Sequence, residues 1–281
     1  MRQINPRRLP LFDSHCHLDD AAFDADREAV IARARAAGVG AMVTVGTDAV
    51  SSRRAVAIAA SAPGVFAAVG IHPHEARLAS EEALEELQGL AGHPRVRAWG
   101  EIGLDFHYLH SPPGAQERWL KRQLEAAAAL NLPVIFHERS SAGRFLAVVA
   151  EAPPPAGAVV HCFSGTADEL ERYLELGFLI GITGILTLPG RGAALRELVR
   201  RIPRERLLVE TDAPWLTPDP ERRGMRRNEP ACVRTVLLRL AAERKEDPAA
   251  LARQVTENAC RLFKIDALAE QALFGYLTER A

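Results

Sequence analysis

Residues 9–18 read LPLFDSHCHL, a short apolar run that ends in two histidines one residue apart. Side chains in a strand alternate faces, so His15 and His17 point to one side while Cys16 points to the other. Two imidazoles on one side of a strand end make half of a metal site, and the rest must come from elsewhere in the chain. The same pattern, an apolar run followed by a polar end, recurs at AMVTVG (41–46), VFAAVGIH (65–72), VRAWGEIG (96–103), PVIFH (133–137), AVVHCF (158–163), FLIGIT (178–183) and LLVETD (207–212). Ala/Leu/Glu/Arg-rich segments with helical periodicity lie between these runs, for example at 24–37, 81–90, 116–130, 168–176 and 193–201. Gly38, Gly92, Asn131 before Pro133, Gly177 and Pro203 stand where those helices should stop. Eight β–α units in strict alternation predict an α/β fold, a closed (β/α)8 TIM-type barrel.

The whole chain, 1–281, is expected to form a single hydrolase domain, with a leader at 1–10, an active-site loop at 213–230 and C-terminal helices within 231–281. Those helices are placed at 231–243 and 248–263, with one more past Ile265. The loop is Pro/Arg-rich and too long to be a mere connector. A composition of 48% hydrophobic and 25% charged residues is that of an ordinary globular protein able to bury a core. The net charge of −1 supplies no global attraction to a polyanion, so a phosphate-bearing partner must be held locally. Cys16, Cys162, Cys232 and Cys260 show no C-x-x-C spacing and suit a reducing compartment as buried small hydrophobes. The basic start carries no apolar export segment, and no run approaches the roughly 20 apolar residues of a membrane helix. A soluble cytoplasmic protein that does not engage membranes is expected, and no obligate protein partner is indicated.

A barrel carries its chemistry at the C-terminal ends of its strands. There the sequence places His15 and His17 on the first strand, Glu101 on the fourth, His137 on the fifth, His161 on the sixth and Asp212 on the eighth. Four histidines and two carboxylates exceed the three protein ligands of a mononuclear catalytic zinc site and suggest two ions roughly 3.5–4 Å apart, with Glu101 as the bridge. Such a site polarises a phosphoryl or carbonyl oxygen and lowers the pKa of a water toward neutrality, which is hydrolase chemistry.

The motifs DSHCHLD, GIHPH, GEIGLDF, FHER, HCFSG, GITG, ETDAPWL and RRNEP, running from Asp13 to Pro230, together resemble the TatD family of metal-dependent deoxyribonucleases, within the amidohydrolase-like barrels. The resemblance implies a divalent-metal phosphodiesterase acting on DNA, often as a 3′–5′ exonuclease, on single-stranded or frayed ends. It implies that His15 and His17 with Glu101 and Asp212 hold one ion, and Glu101 with His137 and His161 the other. Glu101 and Asp212 are then catalytic, Asp212 orienting or deprotonating the attacking water, and His72 matches a substrate-contact position. The chain departs from the family at Glu138, where serine is frequent, and at Cys232, just after the RNEP block.

Amidohydrolases, lactonases and deacetylases share this barrel class, and many bridge two metals with a carbamylated lysine. This chain has only Lys121, Lys245 and Lys264, none at an expected strand end. A non-catalytic binding protein is the other alternative, disfavoured because four imidazoles and two carboxylates brought together without an ion would destabilise the fold. For nucleic acid, Arg226 and Arg227, with Arg222 and Arg223 nearby, and Arg139 after His137 are candidate phosphate contacts, and Trp215 is a candidate base-stacking residue. His74, His93, His107 and His110 are left out of the metal site. Histidine-rich ligation suits Zn²⁺ or Mn²⁺, whereas the family resemblance implies Mg²⁺.

Overall fold

In the computed structural model, which describes residues 9–266, each of the eight apolar runs overlaps a strand. They are β1 (Leu11–Cys16), β2 (Val39–Val45), β3 (Val65–Val69), β4 (Val96–Asp105), β5 (Val134–Arg139), β6 (Ala158–Val160), β7 (Leu179–Ile182) and β8 (Leu207–Val209). They form one sheet in the order β1 to β8, and this is the expected (β/α)8 TIM-type barrel. The strands are buried almost throughout, which is why they read as continuous apolar runs rather than as alternating ones. The helices are α1 (Arg27–Ala36), α2 (Ala49–Ser61), α3 (Glu81–Ala91), α4 (Pro113–Ala129), α5 (Arg144–Glu151), α6 (Ala167–Glu175), α7 (Ala193–Leu198), α8 (Val233–Arg244) and α9 (Pro248–Leu262). None of the described helices is long and apolar enough to cross a membrane. The helix expected past Ile265 and most of the 1–10 leader lie outside the described residues.

Local chemistry sets the helix starts. The carboxylate of Asp48 accepts from the Ser51 amide at 2.7 Å, and Ser51 Oγ accepts from the Asp48 amide at 2.9 Å, a reciprocal cap that opens α2. Thr166 and Glu169 do the same for α6. Helix α1 starts later than the expected residue 24, because Ala21–Phe23 first make a 3-10 turn capped by Asp20.

The chain divides into two compact units, Thr44–Ile180 and the pair of segments Met1–Val43 and Gly181–Ala281. In the two-segment unit, β1 rests on α9, with Phe12 stacked on Phe263 at 5.8 Å. The core of Thr44–Ile180 includes Phe136, which meets Phe145 at 4.9 Å and Phe178 at 5.5 Å, and Trp99, whose Nε1 donates to Gln123 Oε1 at 3.2 Å. Within that unit β4 and β5 run parallel, with Gly103 beside His137 and Asp105 beside Arg139. Gly103 has φ +154°, and a Cβ built there would lie 1.8 Å from the His137 carbonyl oxygen. Only glycine lets the two strands approach this closely.

Candidate metal centre

Three donors converge at the end of β1 and just past β8. His15 Nε2 and His17 Nε2 are 3.0 Å apart, and Asp212 Oδ1 lies 3.8 Å from the first and 3.5 Å from the second. Both histidines are buried. Backbone hydrogen bonds fix this arrangement: the Asp212 amide donates to the His15 carbonyl at 2.9 Å, and the His17 amide donates to the Ala213 carbonyl at 2.7 Å. Asp212 has φ +57°, a left-handed conformation that aspartate tolerates better than most residues and that is found preferentially at functional sites. Beneath it, buried Asp13 accepts from the Thr211 amide at 2.8 Å and the Thr211 hydroxyl at 2.6 Å. Burial pushes the Asp13 carboxyl well above its ordinary pKa, against the lowering effect of those Thr211 hydrogen bonds. Asn228, also buried, donates to the carbonyls of Thr211 at 2.9 Å and Trp215 at 2.7 Å and so ties the far end of the 213–230 loop to its start.

The second donor set belongs to Thr44–Ile180. Glu101 is buried in β4, and its Oε1 lies 2.8 Å from His137 Nδ1, 3.7 Å from His161 Nε2 and 3.7 Å from His72 Nε2. β4 does not end near Glu101 but continues to Asp105, a buried carboxylate that the sequence reading did not single out. Asp105 Oδ2 lies 3.1 Å from His137 Nε2 and 2.9 Å from His74 Nε2. Burial by itself would lower the His137 pKa, but the hydrogen bonds to Asp105 and Glu101 outweigh it and raise it to about 9. Burial would raise that of Asp105, yet the hydrogen bonds from His137 and His74 hold its carboxyl well below the usual carboxylate range. His74, expected outside the metal site, reaches Asp105.

Both sets fit a divalent cation. Two imidazole nitrogens 3.0 Å apart beside a carboxylate, and an imidazole nitrogen 2.8 Å from a carboxylate oxygen, are atom pairs that a proton on one nitrogen holds together and between which a cation could take its place. Imidazole and carboxylate together are the donors of catalytic zinc and related ions.

The residues expected to contact substrate are placed differently from one another. The Nδ1 of His72 accepts from the His74 amide at 3.0 Å, which leaves its Nε2 as the donor facing Glu101. Trp215 is half exposed, its ring set edge-on to His17 at 4.9 Å. Arg226 is exposed. Arg139 lies over the Tyr108 ring at 4.7 Å. Arg227 is already engaged: it sits over the Phe23 ring at 4.5 Å, donates to Asp26 Oδ1 at 2.5 Å and lies 3.6 Å from Glu229. Glu138, the departure in the FHER block, accepts from the Ser141 amide and hydroxyl at 3.0 and 2.8 Å, which pins its own loop. Lys121 pairs on the surface with Glu151 at 2.8 Å, and Lys245 ends α8, so neither supplies a metal bridge.

A (β/α)8 barrel with histidine and carboxylate donor sets at its strand ends is a metal-dependent hydrolase. This chain belongs to the TatD-related DNase family, whose sequence profile matches residues 12–264, and it is a metal-dependent nuclease acting on ester bonds. It is 44% identical over 261 residues to the 3′-5′ ssDNA/RNA exonuclease TatD of Musicola paradisiaca, covering 91% of this chain and 98% of that one. It is 43% identical to the protein of the same name from Erwinia billingiae, covering 92% and 100%. A crystal structure of the TatD homolog YJJV from Escherichia coli K12 superposes with a TM-score of 0.84 at 34% identity, covering 91% of this chain and 98% of that chain.

Proposed function

We propose that the chain, acting as one hydrolase domain, removes nucleotides from the 3′ end of single-stranded DNA with two divalent ions. The observation that carries this is the pair of donor sets, one of His15, His17 and Asp212, the other of Glu101 with His137 at 2.8 Å and His161 at 3.7 Å. The family resemblance adds Glu101 as the carboxylate shared by the ions, and the names of the relatives add the direction and the choice of single strands, with RNA as a further substrate. When bound, the ions supply Lewis acidity toward a phosphoryl oxygen and lower the pKa of water. Asp212 orients the attacking water and takes its proton, which the carboxylate does without a change in fold. His72 donates its Nε2–H to a non-bridging oxygen of the scissile phosphate. Arg226 and Arg139 hold neighbouring phosphates, and Trp215 stacks on an unpaired base. Arg227 contributes less, because Asp26 and Glu229 already neutralise it.

The test is hydrolysis of an end-labelled single-stranded DNA oligonucleotide by chelator-stripped protein with Mg²⁺, Mn²⁺ or Zn²⁺ restored separately, beside a Glu101→Ala control. Metal-dependent shortening from the 3′ end that the control lacks is the expected result. Bound metal without cleavage under any ion would move the assignment to an amide or lactone substrate.

A further inference from the structure

We infer that Asp105 is a positioning residue that fixes the ring of His137 so that Nδ1, and not Nε2, is its ligand atom, with His74 as a second donor holding Asp105 in place. This rests on the metal reading above. The two oxygens of Asp105 divide their work. Oδ1 accepts from the amides of His107 and Tyr108, both at 2.9 Å, and shapes the loop after β4. Oδ2 faces His137 Nε2 at 3.1 Å and His74 Nε2 at 2.9 Å. An ionised carboxylate only accepts, so both Nε2 atoms carry their hydrogens toward it. Nδ1, which shares a proton with Glu101 Oε1 at 2.8 Å, is then the nitrogen whose lone pair is open to an ion once that proton leaves.

The position of Asp105 is fixed from its backbone as well. Its amide donates to Gln116 Oε1 at 2.8 Å, and Gln116 Nε2 donates back to its carbonyl at 3.0 Å. Gln116 and Asp105 are both buried. His74 is held in turn, its carbonyl accepting from Ser111 Oγ at 2.7 Å and its amide donating to His72 Nδ1 at 3.0 Å. One carboxylate therefore sets the tautomer of a ligand histidine, an arrangement whose loss costs metal sites roughly 10–100-fold in affinity.

Asparagine separates this role from a merely structural one. In Asp105→Asn the amide oxygen can keep the two loop amides, while its NH₂ group meets the Nε2 atoms and drives the hydrogen of His137 onto Nδ1, against an ion. A structural role makes Asp105→Asn milder than Asp105→Ala, and the tautomer role makes it at least as severe.

The experiment is Zn²⁺ competition against a chromogenic chelator on the full chain, for wild type, Asp105→Asn, Asp105→Ala and His137→Ala. It is joined to long-range ¹H–¹⁵N correlation of the histidines in Zn²⁺-loaded wild type. Expected are an Nε2–H tautomer at His137, and a loss of roughly 10–100-fold at one zinc in Asp105→Asn that Asp105→Ala does not exceed. Wild-type affinity in Asp105→Asn, or an Nδ1–H tautomer in the loaded wild type, overturns the assignment, and the spectrum decides alone if the variants do not fold. Wild-type affinity in His137→Ala would instead overturn the metal reading of this donor set.

Discussion

The two donor sets are built by opposite means. Around His15, His17 and Asp212 the main chain does the positioning: β1 and the start of the 213–230 loop exchange backbone hydrogen bonds, and Asp212 takes a left-handed conformation. Around His137 a side chain does it, through Asp105 and His74. A ligand held by backbone hydrogen bonds is insensitive to neighbouring side chains unless they move the loop. A ligand held by one carboxylate depends on that carboxylate's chemistry down to which atom carries a proton. The first set should therefore respond to changes in loop anchoring, the second to isosteric changes of charge.

The largest effect lies in the first set itself. Asp212→Asn keeps the volume and the backbone bonds but removes the proton acceptor, so kcat on the end-labelled oligonucleotide should fall by roughly 10²–10⁴ with circular dichroism unchanged. Near-normal turnover in the folded variant would remove Asp212 from the chemistry.

Next comes the loop anchor. Asn228→Ala strands the buried carbonyl of Thr211 and the part-buried one of Trp215, and should cost roughly 1–3 kcal/mol in urea unfolding, with a loss of activity through a displaced Asp212. If stability drops and activity does not, the loop is not what places Asp212.

The second set makes a prediction about pH. In chelator-stripped protein His137 has its pKa raised from 6.5 to about 9, so its contribution to stability is complete below pH 6.5 and is lost as pH rises through about 9. Urea midpoints of the stripped protein should decline across that window, and the decline should flatten in His137→Gln. A decline of the same size in that variant would assign it to other groups.

The smallest effects concern the arginines. Arg226→Ala should lower the slope of log affinity for single-stranded DNA against log salt by about 1, and Arg227→Ala by less, because its charge is already paired. Equal changes in slope would show that the ion pairs of Arg227 open on binding.

The fold was readable because each strand is a buried apolar run closed by a glycine, a proline or a polar residue, and the candidate ligands stood out as polar residues within or just after such runs. Asp105 obeys the same pattern after Leu104, but the glycines of GEIG read as the end of the strand, whereas β4 continues to Asp105. The engagement of Arg227 was not legible, since Asp26 is far away in sequence and only the folded loop brings the two together. Nor was the pairing of Asp105 with His74, which the fold creates between the loop after β3 and the end of β4. The local role of Glu138, which accepts from the Ser141 amide and hydroxyl, was likewise visible only in the fold.

Gly103 carries no functional group, and no inspection of ligands would select it. Yet with a Cβ there lying 1.8 Å from the carbonyl oxygen of His137, even alanine must push that histidine's own backbone aside. In a scan of all substitutions under selection for activity, this position should tolerate as little as the ligands do. A sequence in this lineage that replaced this glycine would lose its enzyme with every candidate ligand intact, so an intact set of ligands does not by itself make such a barrel active.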